Sequence, residues 1–268
     1  MLLSLLLGGI AFAWDSEFVS TEKPGDADEE VETELSVELG GMWTVGNTDT
    51  RTLSGKYDGA HRVDRNKFSA RGGALMGSTR VDSNGDGRLD DSERLASRVE
   101  TANRQEGWLR YDRYNGERDS FYGLTGGFRD PYGGYDSRLN AQVGYSYQIV
   151  APEEDEGASL VGEFGFDAAR EDVVDAAVPP DLILAARALL SLQVDIEDTI
   201  SVSEELESLI NVEDPEDSRV NSETALTAKI SDVLALKLSY RLRLDTQPVE
   251  GFARIDQTGL VTVVTSIF

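Results

Sequence analysis

The chain has no cysteine and a single histidine in 268 residues. Without cysteine there are no disulfide staples and no thiolate chemistry. Cations are scarce as well: 25 Lys and Arg stand against 50 Asp and Glu, for a net charge of −25. Such a field disfavours nucleic acid and anionic membrane surfaces as partners and attracts cations. Also missing is an apolar run of about 20 residues, the length a transmembrane helix requires. The longest candidate, MLLSLLLGGIAFA, is too short and ends in Ala11-Phe12-Ala13, a small-x-small cleavage signature. Residues 1–13 are therefore expected to be a signal peptide, although no Lys or Arg precedes the apolar run. Trp14 would then open the mature, exported chain. Residues 14–32 are acidic, contain Pro24 and Gly25, and are expected to form a disordered linker.

From residue 33 to 268 the pattern has period two. In LALKLSYRLRLD, Leu234, Leu236, Leu238, Tyr240, Leu242 and Leu244 share one face; Ala235, Lys237, Ser239, Arg241 and Arg243 share the other. Helical spacing gives no usable stripe there, so the segment is a strand. Leu184 to Ile196 at even positions oppose Arg187, Ser191, Gln193, Asp195 and Glu197. Leu139, Ala141, Val143, Tyr145, Tyr147 and Ile149 oppose Arg138, Asn140, Gln142, Ser146 and Gln148. In the first strand Leu35, Val37, Leu39, Trp43 and Val45 oppose Glu34, Ser36, Glu38 and Thr44. SVSEELESLI is weaker, because Glu204 falls on its more apolar face, and it leaves a helix open. Turn signals such as DRN, NGERD, PEEDEG, EDT and SD separate about twelve strands with no domain boundary.

Alternation fits a soluble lipocalin-like barrel or sandwich as well as a membrane barrel. Four features favour the membrane. Many strands reach 10 residues or more, enough to cross a tilted bilayer. The polar face carries charges of both signs in mid-strand, suited to a hydrated lumen. Short turns occupy one end and longer loops mostly the other, with PEEDEG an exception. The chain closes on GLVTVVTSIF, a strand ending in Phe268 and so a candidate signal for bacterial barrel-assembly machinery. The expected fold is all-β: a closed antiparallel transmembrane barrel of about 12 strands with a polar lumen, bounded by outer-membrane lipid. Trp43, Trp108, Tyr111, Tyr147 and Tyr240 are candidates for its interfacial girdles.

Three segments carry a family resemblance: GMWTVGNTDTRTLSGKYDGAHRVD, WLRYDRYNGERDSFYGLTGGFRDPYGGYDSRLNAQVGYSYQIV and ISDVLALKLSYRLRLDTQP. Together with the terminal strand they resemble the YdiY-like family, described as salt-stress-induced outer-membrane β-barrels. The resemblance spans nearly all of 33–268 and implies a location and a fold rather than a mechanism.

One stretch departs from that family. DSNGDGRLDDSE, residues 82–93, has the spacing of an EF-hand-type calcium loop. Ligand positions 1, 3, 5, 7, 9 and 12 fall on Asp82, Asn84, Asp86, the Arg88 carbonyl, Asp90 and Glu93. Gly87 stands at position 6, where the chain must turn sharply, and Leu89 supplies the apolar anchor. With both termini periplasmic, parity puts this loop outside the cell. A single hand without long flanking helices implies a weak Ca2+ site, on the order of 10⁻⁴–10⁻³ M, that orders a surface loop.

Catalysis finds little support. His61 shares parity with Leu53 and Tyr57 and is expected to point outward near the periplasmic rim, away from any luminal serine. Glu204 and Glu205 are adjacent and should face apart on a strand. The glycine pairs make no phosphate loop. The functional expectation is a narrow pore or a structural envelope protein tied to salt or osmotic stress. The alternative is a non-conducting binding or adhesion barrel that uses the calcium-ordered loop.

Overall fold

A computed structural model describes residues 32–45, 49–85, 88–151 and 157–266. The segments expected to be signal peptide and most of the linker lie outside the described residues, as do Asp86, Gly87 and Phe268. The remainder forms one closed antiparallel barrel of twelve strands in which every strand pairs with its sequence neighbours. The strands are β1 (Glu32–Val45), β2 (Asp49–Val63), β3 (Asn66–Arg80), β4 (Val99–Tyr114), β5 (Asp119–Asp130) and β6 (Tyr135–Val150). They continue with β7 (Ala158–Val173), β8 (Asp181–Glu197), β9 (Ile200–Asn211), β10 (Ser218–Ser231), β11 (Leu234–Asp245) and β12 (Ile255–Ser266). Closure comes from β1 on β12, where Leu39 lies opposite Val263 and Ser36 opposite Ser266. No described helix is long and apolar enough to cross a membrane.

Strand lengths run from 12 to 17 residues, well beyond the five or six usual in soluble sheets. The two ends of the barrel differ as the turn signals predict. Residues 64–65, 198–199 and 232–233 make the tightest turns at the end that carries both termini. The first of these holds Asp64 at φ 51°, a left-handed conformation that a short polar side chain tolerates. The opposite end carries the long connections 81–98 and 246–254.

Side-chain parity follows the sequence pattern. Leu236, Leu238, Leu190, Leu192, Phe164, Val143 and Leu139 are exposed on the outer wall. Arg187, Ser191, Ser239, Arg241, Arg243, Asn140 and Gln142 are buried inside. An apolar outer belt over a charged interior is the arrangement hydrocarbon demands, since a closed sheet leaves no backbone group unpaired.

Two readings change. SVSEELESLI is strand β9, not a helix, with Glu204 facing outward and Glu205 inward. Glu204 is tolerated on the outer wall because Ser222 Oγ (2.8 Å) and Thr224 Oγ1 of the adjacent strand both donate to its carboxylate. Trp108 is not a girdle residue. It shares parity with Arg104, Arg110 and Asp112 and lies inside at 4% exposure, whereas Trp43 is 78% exposed.

Candidate functional site: the charged lumen and the outer loop

The lumen is held by pairs of cationic side chains and carboxylates, several of which are local to one strand. Arg110 and Asp112 (2.7 Å), Arg104 and Glu106 (3.2 Å), and Lys56 and Asp58 (3.1 Å) are each two residues apart. On a strand that spacing puts both side chains on one face.

Longer reaches join separate strands. Glu163 on β7 accepts from Arg110 on β4 at 2.7 Å and from Arg187 on β8 at 2.8 Å. Arg187 also donates to Glu207 on β9 (2.6 Å) and to the Tyr122 hydroxyl on β5 (2.7 Å). The Tyr122 ring lies 4.4 Å from the Arg110 guanidinium carbon, within cation–π range. Nearer the long-loop end, Arg219 on β10 donates to Asp245 (3.0 Å), to Glu171 and to the Tyr135 hydroxyl (3.2 Å). Tyr135 on β6 in turn donates to Asp245 on β11 at 3.3 Å. Since β6 and β11 are five positions apart in a twelve-strand ring, this contact spans most of the bore.

The interior is less uniformly polar than alternation suggests. Trp108, Tyr122, Leu124, Phe128 and Tyr135 form a buried cluster, with Val173 and Val249 packed against it. Val249 comes from the connection 246–254, which folds over the mouth. Gly134, at φ 95°, sits so close beneath this segment that a Cβ there would lie 3.1 Å from the Phe252 ring.

A second luminal cluster is more open. Glu38 on β1 meets Lys56 at 3.8 Å and Lys237 at 3.2 Å. Lys237 also reaches Glu223 (3.6 Å), which Arg241 holds at 2.7 Å. Arg71 on β3 pairs with Asp58.

The connection 81–98 contains a single-turn helix, α1 (Asp91–Leu95), capped by Asp90. The candidate calcium ligands fall as follows. Asp90 accepts from Glu93 N (2.9 Å) and Ser92 Oγ (2.6 Å). Glu93 accepts from Asp90 N (3.0 Å), Ser83 N (2.7 Å), Ser83 Oγ (2.8 Å) and Asn84 N (3.3 Å). Asp82 accepts from Gly85 N at 2.7 Å. The structure thus brings Asp90, Glu93 and the backbone of Asn84 together, while Asp82 closes a turn of its own. Asp86 lies outside the described residues, and among the described residues no three acidic or histidine side chains converge as a metal cage. The Ser92 hydroxyl and the Glu93 amide hold the Asp90 carboxyl below its ordinary pKa. The Asp90 amide and the Ser83 hydroxyl do the same for Glu93.

His61 lies on the outer surface near the short-turn end, its Nδ1 2.9 Å from Thr33 Oγ1 and away from the luminal carboxylates. The buried aromatic cluster is what sequence reasoning missed. Its one available signal was the parity of Trp108 with Arg110 and Asp112.

A closed twelve-stranded antiparallel wall, apolar outside and charged within, has the architecture of a transmembrane β-barrel. The chain belongs to the family described as "Protein of unknown function, DUF481", which matches residues 37–267. That description carries no salt-stress role. No curated protein matches the sequence. Among solved structures the NanC porin shares the fold, with a TM-score of 0.50 and 11% identity over 86% of this chain and 98% of that one. The translocator domain of the autotransporter NalP from Neisseria meningitidis aligns with a TM-score of 0.40 and 12% identity, covering 88% of this chain and 87% of that one. The anion-selective porin from Comamonas acidovorans gives 0.38 and 11%, covering 89% of this chain and all of that one.

Proposed function

We propose that the protein resides in the bacterial outer membrane as a narrow pore that admits water and small ions and excludes larger solutes. It is not an enzyme; it acts through its wall and its loops. The observation that carries this reading is the Tyr135–Asp245–Arg219–Glu171 bridge across the outer mouth, stacked above the layer centred on Glu163. Planar-bilayer recording of the purified protein tests it. Conductance well below that of a general diffusion porin in the same salt is expected, rising when Arg219→Ala opens the bridge. Large steps from the native chain would sink the reading.

The connection 81–98 supports a second element, a calcium-ordered contact surface on a barrel that conducts little. The ligand spacing of Asp82, Asn84, Asp86, the Arg88 carbonyl, Asp90 and Glu93 favours it. So does the helix start, which puts ligand positions 9 and 12 at the N-cap and third residue of α1. Calorimetry with calcium chloride should show one weak site that Asp82→Ala and Glu93→Ala remove; equal heats from all three proteins would end the claim. The tie to salt or osmotic stress rests on the family resemblance. Survival of a deletion strain after hyperosmotic shock tests it, and wild-type survival would discard it. Assembly through a C-terminal signal is the companion proposal, tested by the loss of heat-modifiable barrel when Phe268 is deleted.

A further inference from the structure

The outer wall is not uniform around the short-turn end. A recess of about 750 Å³ opens there on the lipid side of β1–β5. Its floor is made of small residues, Gly59, Ala70 and Gly123, and its flanks include Tyr57, Leu109 and Tyr111. At Gly123 the nearest atom to an added Cβ is the Gln142 carbonyl at 4.0 Å, so the hollow comes from missing side chains and not from a bent backbone.

Beside this hollow, toward the turns, lie two arginines. Arg113 on β4 and Arg65 in the β2–β3 turn are exposed, as is His61. Arg113 donates to Asn66 Oδ1 at 2.9 Å, and Tyr111 donates to the same oxygen at 2.7 Å. The partner is a neutral amide, so the guanidinium charge is not cancelled there. His61 lies directly across from Phe68, and Phe68 across from Tyr111. His61, Phe68 and Tyr111 therefore form one row across three strands, and Arg113 lies two residues nearer the turn on the same face as Tyr111. In a chain of net charge −25 this corner gathers two exposed arginines, with Asp64 the exposed carboxylate next to Arg65.

We propose that this corner is a binding site for one phospholipid with an anionic headgroup, an acyl chain filling the hollow and the phosphate meeting Arg113, Arg65 and His61. The proposal rests on the membrane reading above. Two observations commit the hollow to a lipid: its lining belongs to the apolar outer wall that would face acyl chains, and the exposed Arg65 and Arg113 beside it match an anionic headgroup. Aromatic rings with Arg at the interface are the groups that hold headgroup and first methylenes in register.

Native mass spectrometry of the detergent-purified full chain tests the site, with dioleoylphosphatidylglycerol and dioleoylphosphatidylcholine as probes. The phosphatidylglycerol should bind about tenfold more tightly, and the Arg65→Gln/Arg113→Gln protein should lose that preference. Gly123→Leu should weaken both lipids by filling the floor, and a gel shift on boiling certifies that each variant is folded. Flotation with phosphatidylcholine vesicles separates the two readings. A protein that floats but shows no headgroup preference, or keeps it in the double variant, overturns the lipid site alone. A protein that does not float overturns the site and the membrane reading together. A dimer in sedimentation that Gly123→Leu dissociates assigns the hollow to a second copy and likewise overturns the proposal.

Discussion

The lumen has two sectors built from the same ingredients with different outcomes. Around Glu163, the groups from β4, β5, β7, β8 and β9 exclude water: the Glu163 and Arg187 side chains are both 0% exposed. Around Glu38, the groups from β1, β2, β3, β10 and β11 stay partly wet: Asp58 is 27% and Lys237 17% exposed. The first sector uses arginine: the planar fork of Arg110 meets Asp112 and Glu163 at once and stacks on Tyr122. The second includes lysine, a strongly hydrated point charge on a flexible stem. A narrow path for ions would therefore follow the lysine side of the barrel, and the arginine side acts as filler.

Glu163→Ala tests the contrast most severely. It strands the Arg110 and Arg187 charges away from water, and stability should fall by about 3–5 kcal/mol in urea unfolding from lipid vesicles. Tyr122→Phe removes one hydroxyl from Arg187 and should cost about 1.5–3 kcal/mol in the same assay. Glu38→Ala is expected to cost less, about 1–2 kcal/mol, because Lys56 keeps Asp58 and Lys237 keeps Glu223 as partners. Equal losses from Glu38→Ala and Glu163→Ala would erase the distinction between sectors. Lys237→Ala should leave unfolding nearly unchanged yet shift small-ion selectivity toward cations in bilayer recordings; the same shift from a β7 or β8 variant would place the path elsewhere.

The smallest effect belongs to the outer loop, where carboxylates are satisfied by hydrogen bonds alone. Folding lowers the pKa of Asp90 and Glu93. Such groups contribute fully above their unfolded values, near 3.8 and 4.5, and lose the contribution as pH falls through the folded values. Amide exchange at Ser83, Asn84 and Asp90, corrected for intrinsic rate, should be flat from pH 8 to the ordinary glutamate range and rise only below it. A rise beginning at neutral pH would contradict the capping arrangement.

Much of this architecture was legible beforehand because alternation is a local property. LALKLSYRLRLD declares its two faces without reference to any other strand, and the brevity of DRN, EDT and SD declares which end they occupy. Chain parity also put His61 outside. What alternation does not encode is which side chains meet across the bore. Tyr135 and Asp245 are 110 residues apart, and their contact depends on shear and closure. For the same reason Leu189 and Val161, buried inside, were invisible beside their outward neighbours Leu190 and Leu160. Trp108 was misassigned because aromatic identity was weighed above the parity of its strand.

The pairing of Arg110 with Asp112, Arg104 with Glu106 and Lys56 with Asp58 also bears on how such a wall is laid down. Strands β2 and β4 thus carry counterions on their own inner faces, whereas Glu163, Asp167 and Glu171 on β7 depend on arginines of β4, β6, β8 and β10. The former can enter a greasy medium with those charges already matched, while β7 needs its neighbours in place before its carboxylates leave water.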